Sequence, residues 1–214
     1  GDSLELEIFV ASKGSVENRD YATEYTYSGT PIAAPSADDF ETDSQGNMTF
    51  SWYEGDYTEL PLDNQAVLDT EPTDAGIYTL VVEVAADSSY TTAETKICVT
   101  INPAQVIPSI IGNAEKTYDG GLAVEPGDLS VALNGICEAD EGMETAVAYY
   151  AYESANAREM VVVTATDIQL TGERAANYVL SSTTAQGEGK ILAKNLQECV
   201  VELEKEEVYF TNEP

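Results

Sequence analysis

The sequence contains no histidine and only nine lysines and arginines, against 39 aspartates and glutamates. Each scarcity closes a route. Without histidine, neither a Ser-His-Asp triad nor a Cys-His pair can be assembled. Without clustered bases, a phosphate backbone has nothing to hold it, so nucleic acid is not expected as a partner. For the same reason, no contact with an anionic membrane surface is expected. No apolar run reaches the roughly 18 residues of a membrane-spanning helix. The three cysteines, Cys98, Cys137 and Cys199, are an odd number and cannot form a complete disulfide framework. No CxxC or Cys/His cluster offers a structural zinc site. Cys98 in KICVTI and Cys199 in ECVVEL lie in alternating β-branched runs and read as small buried hydrophobes. The sequence leaves open whether any two of the three cysteines are bonded.

What remains is ample core material on an acidic surface. Hydrophobic residues make up 43% of the chain, with 13 tyrosines and 4 phenylalanines, so the chain is expected to fold despite its charge. The net charge of −30 favours a soluble monomer through like-charge repulsion.

The chain repeats itself. Tyr27-Ser28-Gly29 is answered 91 residues later by Tyr118-Asp119-Gly120, and after a similar interval by Phe210-Thr211-Asn212. Each is an aromatic, a small polar residue and a residue that tolerates positive φ, which is turn chemistry. Two Lys-led closing runs, TKICVTIN at 95–102 and GKILAK at 189–194, each lead into a short linker and a fresh alternating strand. Domains are therefore expected at 1–102 and 103–194, with 195–214 beginning a third repeat. On this reading the chain is a cut piece of a longer array. Linkers as short as Asn102-Pro103-Ala104 favour a semi-rigid arrangement.

Short alternating runs punctuated by Gly, Pro, Asn and Asp predict an all-β fold of sandwiches. In MTFSWYE, Met48, Phe50 and Trp52 share one strand face, which places Trp52 in a core. Asp74-Ala75-Gly76-Ile77-Tyr78 has the D-x-G-x-Y form of a tyrosine corner, in which the tyrosine hydroxyl returns to upstream backbone. Leu80 stands where an immunoglobulin domain would carry cysteine. Ala176-Asn177-Tyr178 offers a second candidate corner, with Tyr178 as its tyrosine and Asn177 accommodating the turn.

With these motifs in place, a resemblance can be named. YSGTPIAAP, FSWYEGD, PTDAGIYTLVVEVAADSSYTTAE and CVTINPA resemble the MBG-type bacterial Ig-like repeats. KTYDG, DIQLTGERAANYVLSS and GKILAKN resemble the related YDG repeats. The resemblance implies two tandem Ig-like β-sandwiches in a secreted bacterial cell-surface protein. It implies no catalytic residues; together with the short linkers, a spacer or adhesion role without a cofactor is expected. GICEADEGMETAVAYYAYES is more acidic and tyrosine-rich than the pattern.

Candidate chemistry is thin. A reactive cysteine needs an electropositive setting, and Cys137 in NGICEAD is flanked by acids. Adjacent carboxylates such as Asp38-Asp39 could act as a hydrolytic pair only in a cleft. Calcium is the metal that clustered carboxylates would suit, with Asp38, Asp39, Asp43, Asp140 and Glu141 as candidate ligands, although no EF-hand spacing is present. Tyr149, Tyr150, Tyr152, Trp52 and Tyr53 lie in two strands, and any that face outward could make a sugar platform. A carbohydrate-binding module is therefore the alternative function, and the expected partner is an extracellular protein or glycan.

Overall fold

The computed structural model describes residues 10–125, 127–142, 145–146 and 148–195. Cys199 and nearly all of the third repeat expected at 195–214 lie outside these residues. The fold is all-β, and the helical pieces among the described residues are single 3-10 turns at Ala37–Asp39, Glu138–Asp140 and Ala175–Asn177. None is long and apolar enough to cross a membrane.

The first strands are β1 (Val16–Asn18), β2 (Glu24–Thr26), β3 (Phe40–Thr42), β4 (Met48–Glu54), β5 (Gly76–Val84) and β6 (Ala93–Asn102). They are followed by β7 (Ala104–Gly112), β8 (Ala114–Thr117), β9 (Leu129–Asn134), β10 (Thr145–Ala146), β11 (Tyr149–Tyr152), β12 (Arg158–Thr166), β13 (Gln169–Leu170), β14 (Tyr178–Leu180) and β15 (Ala185–Leu192). The sheets run β2-β6-β5-β4, β1-β3, β14-β7-β9, β11-β12-β15-β8 and β10-β13.

The β4–β5–β6 meander follows from sequence pattern. Aromatic residues alternate with polar ones in β4, β5 is a mostly buried run rich in β-branched residues, and the antiparallel register sets Trp52 opposite Leu80 and Phe50 opposite Val82. Leu80, Val82 and Val84 are fully buried, with Val99 and Ile101 of β6 beside them. The β1–β3 pair contributes Val16 and Phe40 to the same core.

By compactness the chain divides into two units. The first comprises the described residues through Pro108 together with Leu133–Ala146 and Gln169–Ser182; the second comprises Ser109–Ala132, Val147–Ile168 and the residues from Thr183. This division differs from the repeat boundary at 102. Its cause is burial: Ala104, Val106 and Tyr178 join the core built around Leu80 and Trp52. Within the first unit, β14 pairs parallel with β7 through Tyr178↔Ala104 and Leu180↔Val106.

The second unit has its own core of Ala114, Leu129, Tyr152, Val161, Val163 and Ile191. Gly189 in mid-β15 is explained by this packing. A Cβ there would lie 2.7 Å from Tyr152 Cε1 and 2.9 Å from both Ala114 O and Val163 Cγ2. Gly189→Ala is therefore expected to destabilise the protein by about 1–3 kcal/mol, the usual cost of overpacking. The readout is the midpoint of urea unfolding, and an unchanged midpoint would mean that the sheet yields freely.

Candidate functional site

The densest polar constellation lies in the first unit, around the turn Glu138–Asp140. This turn presents Asp140, whose side chain is only 6% exposed. Asp140 Oδ2 accepts hydrogen bonds from the hydroxyls of Tyr178 at 2.6 Å and Tyr27 at 2.7 Å. The Tyr178 hydroxyl in turn accepts the Cys137 N–H at 3.0 Å. The Tyr27 and Tyr178 rings meet edge to face, with centroids 5.3 Å apart at 82°, a favourable quadrupolar arrangement. Arg174 Nε stands 4.0 Å from Asp140 Oδ1.

Arg174 also reaches the Asp74 carboxylate, as does the Asn177 amide at 2.8 Å. Asn177 Oδ1 accepts the Ala75 N–H at 2.7 Å. The Asp74 carbonyl accepts the Tyr78 hydroxyl at 2.9 Å, the backbone return characteristic of a tyrosine corner. The D-x-G-x-Y segment therefore both closes its own corner and supplies the surface that Arg174 and Asn177 grip.

Charge is balanced accordingly. Burial pushes the Asp140 pKa up, but hydrogen bonds from Tyr178 and Tyr27 and the charge of Arg174 outweigh it, leaving the carboxyl below its usual range. Burial, then the bond to Asp140, pushes the Tyr27 phenol up to about 12. The Tyr178 phenol is raised for the same two reasons. A general acid or base useful near neutrality needs a pKa close to 7. Asp140 is driven the other way and is suited to accepting hydrogen bonds permanently.

The other singled-out residues lie elsewhere. Asp39 Oδ2 accepts the Ser36 N–H at 2.8 Å and its hydroxyl at 3.1 Å, Asp38 lends its carbonyl to Arg19, and Asp43 accepts the Ser15 hydroxyl. Glu141 is exposed beside Asp140, along an open cleft of about 570 Å³ that also includes Gly172 and Glu173. Among the described residues, no three His, Cys, Asp or Glu side chains group as a metal cage. Cys98 and Cys137 are free thiols, and burial raises the Cys98 pKa.

Two expectations need correction. Tyr178 is not a second tyrosine corner: its hydroxyl binds the Asp140 carboxylate, and its strand pairs with β7, whereas Tyr78 lies in a strand paired with β6. Asn177 does not adopt a left-handed turn conformation, since positive φ among non-glycine residues occurs at Asn64 and Asp167. It is buried for its amide instead. Arg174 was missed altogether, although its rarity as one of nine bases was the available signal.

The YDG motif itself holds a second, smaller polar cluster. Buried Lys116 donates to Asp119 Oδ1 and to the Gly121 carbonyl, both at 2.8 Å, and lies 5.3 Å from the Tyr152 ring centroid. Asp119 also accepts the Gly121 N–H.

Residues 102–185 match the family model of the YDG domain. No curated protein matches the chain. Among solved structures, the chain is similar to the three N-terminal domains of the highly immunogenic outer capsid protein (Hoc) of bacteriophage RB49. Identity is 10%, coverage is 86% of this chain and 71% of that one, and the TM-score is 0.27.

Proposed function

We propose that the chain is a non-catalytic spacer or adhesion module of a large secreted, surface-exposed bacterial protein. Its two Ig-like repeats are of the MBG and YDG types. The observation that carries this reading is the Asp140 constellation. Its hydroxyls, amide and guanidinium tie Tyr27 and Asp74, before residue 102, to Asp140, Arg174, Asn177 and Tyr178, after it. Polar groups that could serve a substrate are spent on holding the chain to itself, which suits a load-transmitting joint. The family match supports the YDG-type reading of residues 102–185.

The carbohydrate alternative requires an outward aromatic platform. Trp52 and Tyr152 are buried, whereas Tyr149 is 66% exposed. A glycan array probed with micromolar protein is expected to be blank. A reproducible signal abolished by Tyr149→Ala would overturn the spacer reading in favour of a binding module.

A further inference from the structure

Tyr27 and Tyr118 occupy the same place in their repeats. Each follows a short strand that runs parallel to a closing strand, β2 beside β6 and β8 beside β15. The Tyr27 N–H donates to the Asn102 carbonyl at 2.8 Å, and the Tyr118 N–H donates to the Leu192 carbonyl at 2.8 Å. Two residues on, Gly29 and Gly120 turn with φ of 76° and 79°. Between them the middle residue fixes the turn in both cases, Ser28 through Thr30 and Asp119 through Gly121.

The fates of the two rings differ. Tyr27 is 4% exposed, covered by the Asp140 turn and Tyr178, both of which come after its closing strand in sequence. Tyr118 is 42% exposed. A half-exposed tyrosine on such a turn has the amphipathic character typical of an interface anchor.

We propose that Tyr118 is the docking residue for a further YDG-type repeat following the closing strand β15. That repeat would cover the ring with a strand tyrosine and accept its hydroxyl with a carboxylate on a short 3-10 turn, as Tyr178 and Asp140 do for Tyr27. The proposal rests on the tandem-repeat reading and adds the recognition chemistry of the next joint. The argument is one of continuity, because the same backbone frame that presents Tyr27 to its cover presents Tyr118 at the end of the next closing strand.

The test duplicates residues 103–192 within the full chain, so that Leu192 is followed by a second copy of the repeat. Tyr118 of the second copy is changed to Phe so that only the first is read. Tyrosine nitration is followed by peptide mass spectrometry. In the undivided 214-residue chain, Tyr118 is expected to nitrate readily and Tyr27 slowly. In the duplicated chain, Tyr118 of the first copy should slow at least tenfold, and Asp140→Ala in the second copy should restore its rate. An unchanged Tyr118 rate with Tyr27 still protected overturns this proposal alone. Protection that survives Asp140→Ala also overturns it, because the cover would then not be the acidic turn. Free nitration of Tyr27 in the unduplicated chain would instead sink the joint on which the spacer reading stands.

Discussion

Replacing Trp52 with alanine is expected to cost about 3–5 kcal/mol of folding free energy, the range for truncating a buried large aromatic. Trp52 is 5% exposed and sits opposite Leu80 in the β4–β5 ladder. Its ring lies 6.3 Å from that of Tyr21, which stacks on Phe40 at 6.1 Å, and Phe40 meets Phe50 at 5.5 Å. Alanine would open a cavity bordered by rings that cannot collapse into it independently. The indole N–H, however, is buried without a hydrogen-bond partner. Trp52→Phe removes that unsatisfied donor while keeping an aromatic in place, so it should cost clearly less, about 1–2 kcal/mol. Urea unfolding followed by far-UV circular dichroism reads both variants. A loss below about 1 kcal/mol for Trp52→Ala would remove Trp52 from the core.

The contrast between Trp52 and Asp140 marks how far sequence reasoning reaches. Trp52 is legible because strand alternation is local: Met48, Phe50 and Trp52 must share a face once β4 is extended. The turn at Tyr118-Asp119-Gly120 is legible because only a few residue types tolerate its backbone, and because it recurs at a fixed interval. The parallel pairing of β2 with β6 and of β8 with β15 then follows the same interval. Asp140 carries no such local signal. Among 39 acids it reads as one carboxylate in an acidic loop and hence as a candidate calcium ligand. Its partners Tyr27 and Tyr178 are 113 and 38 residues away, and Asp74 and Arg174 are separated by 100. Pairings at such separations are set by tertiary packing and leave no periodicity. Asp74 and Tyr78 stand out in the sequence as one corner motif, Tyr178 as an imitation of it and Asp140 as an acid in a loop, and only the fold brings the three features into one cluster. Tyr178 was misassigned because Ala176-Asn177-Tyr178 imitates a corner locally, whereas the identity of the neighbouring strand is a long-range fact.

Asp140→Ala is expected to destabilise the protein by about 2–5 kcal/mol, since each buried hydroxyl left without its acceptor costs roughly 1–3 kcal/mol. Two donors, from Tyr27 and Tyr178, lose their acceptor at once, and Arg174 loses a nearby charge. Coupling is part of the expectation. In the Asp140→Ala background, Tyr27→Phe and Tyr178→Phe should cost much less than in the native chain, because the hydroxyls they remove are already unpaired. The pH dependence has a definite sign. Asp140 is held below its usual pKa, so its contribution is present above the unfolded value of about 4 and is lost as pH falls through the lower folded value. Tyr27 is raised to about 12, so its contribution is full below about 10 and is lost as pH climbs toward the folded value. Stability of the native chain should therefore fall at both extremes, and Asp140→Ala should flatten the acid limb specifically. Acid limbs that stay parallel in the two proteins would mean that other carboxylates carry the acid sensitivity and that the two hydroxyls do not depend on the Asp140 charge.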